Sequence, residues 1–179
     1  MPIQNEEDRI KLLQDNLRTI RLICGWTLDD FARRLGVTKQ SISRFENKKV
    51  EITRAMYIAI RAVLEEKCSE EKNSGDNYGI LTRAIPILLR EGECEKLSDM
   101  EYGGIKTKLE TLAAAYLGRA SKRSVSYMLS NYIASIPALS GAALFLARGV
   151  GLDSGFAWLT KLLKSDDDKG NADEANEPV

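Results

Sequence analysis

Between residues 9 and 24, in RIKLLQDNLRTIRLIC, apolar side chains recur at Ile10, Leu13, Leu17, Ile20 and Cys24. A spacing of three or four predicts a helix with one buried face. Gly25 stops it, and Thr27 is placed to cap a second helix, LDDFARRL, whose early aspartates suit the positive end of the helix dipole. Gly36 ends the second helix, Thr38 caps a third running to Asn47, and Thr53 caps a fourth, RAMYIAIRAVLEEK. The polar, turn-rich stretch CSEEKNSGDN then predicts a linker over residues 69–77, with residues 1–68 as one domain.

Beyond the linker, the pattern predicts a helix over 78–96, kinked or restarted at Pro86. SDMEYGG reads as a cap followed by a flexible joint. Further helices are expected over 105–117, 121–136, 137–148 and 153–164, divided by Gly118, Pro137 and the Gly149–Gly151 pair. No alternating strand pattern of useful length occurs, so the expected fold is all-α, with a second, helical domain over 78–165. The most apolar stretch, Ile133 to Ala147, runs 15 residues without a charge, short of the ~20 that a membrane-spanning helix needs. It suits a buried core hairpin, a self-association face, or a membrane or other partner surface. The tail, 166–179, has no large apolar anchor and is expected to be disordered.

The hydrophobic content, 44%, is enough for a core, and the 26 cations and 26 acids cancel. The cancellation hides an uneven distribution. Seven cations lie between Arg33 and Arg54 against only Glu46 and Glu51, while the last fourteen residues carry six acids and one lysine. A basic patch and an acidic tail therefore sit in one neutral chain. There is no histidine, which excludes imidazole-based catalysis and every zinc site that needs imidazole. The three cysteines, Cys24, Cys68 and Cys94, are far apart and odd in number. They support neither a disulfide framework nor a metal site and fit a reducing cytoplasm. The polar N-terminus, MPIQNEEDRI, is not a signal peptide. No constellation supports an enzyme, and no cofactor or metal is expected.

The basic patch centres on GVTKQSISRFENKK, residues 36–49. Two short helices joined by a tight turn, the second with a polar outer flank, match the geometry that lays a helix in the DNA major groove. Ala32 is small where the helices cross, and Gly36 permits a left-handed turn. Phe31, Leu35, Val37, Ile42 and Phe45 supply the apolar contacts, and Thr38 leaves a capped helix start that can face a phosphate. Lys39, Gln40, Ser43 and Arg44 then project outward. Glutamine suits adenine, and arginine and lysine suit guanine.

Residues 10 to 66, and LDDFARRLGVTKQSISRFENKK above all, resemble the Cro/C1-type helix-turn-helix domains of phage repressors, the XRE family. The combination Ala32, Gly36, Thr38, Ile42 and Glu46 carries the resemblance. It implies a four- or five-helix, lambda-repressor-like domain in which Lys39, Gln40, Ser43 and Arg44 read bases. It also implies phosphate contacts from Lys48 and Lys49, and an ion pair between Arg21 and Glu46, read as structural. The sequence departs from the family in two places. Lys48 stands where glycine is usual, which predicts a differently shaped turn. Leu28 stands where a phosphate-binding glutamine is common, leaving Thr27 and Arg33 as candidates to replace it. A double-stranded operator and a homodimer are the implied partners.

Residues 112–131, LAAAYLGRASKRSVSYMLSN, repeat the same grammar: SKRSVSY parallels TKQSISR, and Ala114 precedes Gly118 as Ala32 precedes Gly36. A hairpin over 109–131 is thus either a second helix-turn-helix, with Lys122, Arg123 and Ser126 outward, or a helical hairpin for dimerisation or partner binding. The leading expectation is a repressor of the phage or mobile-element type. The alternative is a bifunctional protein whose second domain inhibits a partner protein, as antitoxins and nuclease inhibitors do, while the first represses its own gene.

Overall fold

The structure, a computed structural model, describes residues 5–73, 81–117, 128 and 131. These residues are helical, with no strand among them: α1 (Glu6–Ile23), α2 (Leu28–Leu35), α3 (Lys39–Glu46), α4 (Arg54–Asn73), α5 (Leu81–Leu88) and α6 (Asp99–Leu117), with a 3-10 turn at Gly92–Lys96. The all-α expectation holds over this part of the chain. The expected helix over 121–136 apart from residues 128 and 131, those over 137–148 and 153–164, about half of the 109–131 hairpin and the acidic tail lie outside the described residues.

Local chemistry starts and stops the first three helices. Asn5 caps α1 by accepting from the Asp8 amide at 2.8 Å, and Glu6, Glu7 and Asp8 fill its first turn. Gly25, at φ 71°, ends α1 with paired bonds from Trp26 N–H to Arg21 C=O and from Gly25 N–H to Leu22 C=O. Gly36, at φ 66°, ends α2 in the same way, with Val37 bonded to Ala32 and Gly36 to Arg33. Both are left-handed Schellman caps. A Cβ on Gly36 would meet nothing within 4 Å, so the backbone angle alone explains glycine there.

One core serves all six helices. Leu13, Leu17 and Ile20 of α1, Phe31 of α2, Ile42 of α3, and Ile60 and Leu64 of α4 are buried in the same cluster as Ile87, Leu88, Ile105 and Leu109 of α5 and α6. Trp26 stacks on Phe31 with ring centroids 5.3 Å apart, and the Arg34 guanidinium covers it at 4.9 Å.

Several expectations change. First, α1 buries more than one face, because α5 and α6 pack on it as well as α3 and α4. Gln14, Asn16 and Thr19 are all buried. Asn16 Nδ2 reaches Leu88 C=O at 3.0 Å and Tyr102 Oη at 2.9 Å, and Tyr102 donates to Leu88 C=O at 3.0 Å. Second, α4 continues to Asn73, into the stretch expected as a linker. SEEK is built from residues that sustain a helix, and Lys67 pairs with Glu70 one turn on, at 2.7 Å.

Third, the Gly103–Gly104 pair, expected as a joint, lies inside α6. Ser98 and Glu101 form a capping box that starts the helix. Ile105, Leu109, Leu112 and Ala113 then bury one of its faces, which outweighs the helix cost of two glycines. Upstream, the helix expected over 78–96 is shorter: α5 contains Pro86 and closes at Leu88, and Arg90 takes the left-handed angle, φ 49°, that turns the chain away. Among the described residues, no helix is long and apolar enough to cross a membrane.

Candidate nucleic-acid interface

Helices α2 and α3 cross where Ala32 is almost wholly buried and Ile42 is fully buried. With Ile42 fixed inward, helical periodicity sends Lys39, Gln40 and Arg44 outward, and all three are exposed. Ser43 is half-buried, and Asn47 Nδ2 donates to its carbonyl at 2.7 Å and lies 3.3 Å from its Oγ. Thr38 caps α3 by accepting from the Ser41 amide at 3.1 Å. The exposed flank of α3 is therefore polar and held in register by its apolar one.

Thr27 is exposed at the start of α2, but its groups are already engaged. Its N–H and hydroxyl both donate to Asp30 Oδ2, at 3.1 and 2.6 Å, while its Oγ1 accepts from the Asp30 amide. The Asp30 carboxyl is held below its ordinary value by the Thr27 hydrogen bonds first, with Arg33 and Arg34 adding to the effect. Thr27 thus serves the helix before it can serve a phosphate.

The turn after α3 departs from the sequence expectation. Lys48 takes φ 56°, the left-handed angle usually given to glycine, and Lys49 N–H bonds to Arg44 C=O at 2.9 Å with Lys48 N–H to Phe45 C=O at 3.1 Å. This is the same Schellman closure that ends α1 and α2, so the turn keeps its shape with lysine at the strained position. Lys48 and Lys49 are both exposed. Lys48 pairs with Asp15 of α1, and Lys39 lies 3.8 Å from Asp29 of α2, both at the surface. Among the described residues Arg44 and Lys49 have no ion-pair partner. Arg33 lies 3.7 Å from Asp30.

Arg21 and Glu46 form a two-point ion pair, with Nε to Oε1 at 2.6 Å and Nη2 to Oε2 at 3.1 Å. Their side chains are 9% and 7% exposed, and Arg21 Nη1 also donates to Trp26 C=O at 2.8 Å. The pair joins α1 to the last residue of α3 and points away from the exposed flank. Lys122, Arg123 and Ser126 lie outside the described residues.

One residue at this site carried a signal that the periodicity reading passed over. Gln14 sits on the apolar face of α1, four residues from Ile10 and three from Leu17, and is 8% exposed. A polar side chain in a buried register must find partners, and its partners all lie in or beside the turn after α3.

The helix-turn-helix family model matches residues 17–70, from within α1 into α4. Over that segment the chain is similar to the helix-turn-helix family, in line with the Cro/C1-type, or XRE, resemblance read from its sequence, and the match supports a DNA-binding role. No curated protein and no solved structure gives a significant match.

Proposed function

We propose that the protein is a sequence-specific transcriptional regulator that binds a double-stranded operator as a homodimer in the cytoplasm, as repressors of phage or mobile elements do. In this reading α3 lies in the major groove. Lys39, Gln40, Ser43 and Arg44 face base edges, and Thr38, Lys48 and Lys49 face the backbone phosphates. The observation that carries the reading is the outer flank of α3: Lys39, Gln40 and Arg44 are exposed together on a helix whose opposite side is locked by Ile42 and the Arg21–Glu46 pair. Two copies are invoked because one helix of this length reads only a few base pairs, and twofold-related half-sites supply the missing specificity.

Retardation of DNA fragments selected by the purified protein tests this across a range of salt. Three or four phosphate contacts per subunit give a log–log salt slope of roughly −5 to −7 for a dimer. Arg44→Ala should cost about 1–3 kcal/mol and relax preference at one base position, whereas Lys49→Ala should weaken all sequences alike. A flat salt response, or a protein that selects no fragment, would end the proposal.

A further inference from the structure

We propose that Gln14 is a positioning residue for DNA binding: from α1 it holds in place the turn, residues 47–52, that carries Lys48 and Lys49. The proposal rests on the nucleic-acid reading above and adds to it the part that aligns the phosphate-facing cations.

The turn needs an outside support. The N–H groups of residues 47–49 bond back to α3, but from Val50 to the start of α4 the backbone is neither helix nor strand, so no regular ladder supplies its hydrogen bonds. It also contains Lys48 in a left-handed conformation that a lysine adopts only when its surroundings impose it. Gln14 meets that need with one side-chain amide. Its Nε2 donates to Phe45 C=O at 3.0 Å and to Val50 C=O at 2.8 Å. Its Oε1 accepts from the Ile52 N–H at 3.3 Å, in a buried contact.

The amide orientation follows from these partners, because the two carbonyls require the nitrogen and the N–H requires the oxygen. The three contacts bracket the turn on both sides, at the last full turn of α3 and at the lead-in to α4. The neighbouring Asp15 pairs with the Lys48 side chain, so adjacent residues of α1 fix the backbone of the turn and one of its cations.

No other type of side chain offers this combination at position 14. Glutamate at position 14 would turn an acceptor toward two carbonyls, methionine would take the side-chain partner from Val50 C=O and Ile52 N–H and leave Phe45 C=O only its bond from Lys48 N–H, and asparagine would be one methylene too short. The role is that of a support and not of a ligand: Gln14 is 8% exposed and lies behind the turn, not on its outer side.

The unmodified protein gives the first test, with no DNA present. By nuclear magnetic resonance the Gln14 side-chain amide protons and the Ile52 amide should exchange slowly with solvent. Rapid exchange of both would overturn the proposal even if no variant folds. Gln14→Met, which keeps length and flexibility, should speed Ile52 exchange by about tenfold or more while the α2 amides stay protected.

On operator DNA the same variant should bind about tenfold more weakly, with a salt slope shallower by about one or two as Lys48 and Lys49 lose their places. Lost affinity at an unchanged slope would mean general destabilisation and would overturn the positioning role, as would unchanged affinity. If the unmodified protein retards no DNA, the nucleic-acid reading falls on its own, and the exchange data still report whether Gln14 holds the turn.

Discussion

Lysine at position 48 adopts the angle that glycine fills at the ends of α1 and α2, and strain of this kind costs about 1–3 kcal/mol for a residue with a side chain. Part of it is offset by the exposed pair with Asp15, a contact worth ~0–1 kcal/mol. Once that pair is removed by Asp15→Ala, Lys48→Gly should stabilise the fold by about 0.5–1 kcal/mol, after the larger chain entropy of glycine is counted. Urea unfolding of the single and double variants measures it, and the same substitution should weaken DNA binding through the lost cation. The Arg21–Glu46 pair behaves oppositely. Its two side chains are nearly buried, so Glu46→Ala leaves a guanidinium without its charge partner and should cost about 3–5 kcal/mol. Replacing both residues with apolar side chains should cost much less, a difference visible in thermal melting.

At the scale of the helices, what the sequence made legible was local. Thr27, Thr38, Gly25 and Gly36 act within a few residues of themselves, so the end of α1 and the limits of α2 and α3 could be read directly, whereas α1 starts at Glu6 after the Asn5 cap and not at residue 9 as expected. The outer flank of α3 was legible for the same reason, since burying Ile42 fixes where Lys39, Gln40 and Arg44 point. Distant partners were not legible from periodicity, and the Arg21–Glu46 pair came only through the family resemblance. Gln14 bonds to groups 31, 36 and 38 positions away, and α6 passes through two glycines because its other residues bury against elements far back in the chain. The capping box of α2 makes a further prediction, about acid. The folded chain holds the Asp30 carboxyl below the 3.8 of the unfolded one. The box therefore stabilises α2 fully above that value and is lost as pH falls through the depressed one. Asp30→Asn should remove this part of the acid dependence. Unfolding measured from pH ~6 down to pH ~2 checks it, since the variant and the parent should converge at the acid end.

For the molecule as a whole, α1 is the shared wall between the helix-turn-helix and the helices that follow it. Asn16 links it to Leu88 and Tyr102, and Lys106 Nζ reaches the Asp15 carbonyl at 3.4 Å. Asn16→Ala should cost about 1–3 kcal/mol in urea unfolding, because buried partners lose their bonds. A chain ending at Asn73 should melt at a lower temperature and bind a hydrophobic dye, although it retains every residue of the family match. That match begins at residue 17, and Gln14, Asp15 and Asn16 come just before it. Anyone grafting the reading unit onto another regulator by its matched borders would transplant the fingers without the wrist: such a chimera would carry Lys39, Gln40 and Arg44 intact yet grip the duplex loosely. Moving the start back to Asn5, where α1 is capped, would make the graft portable.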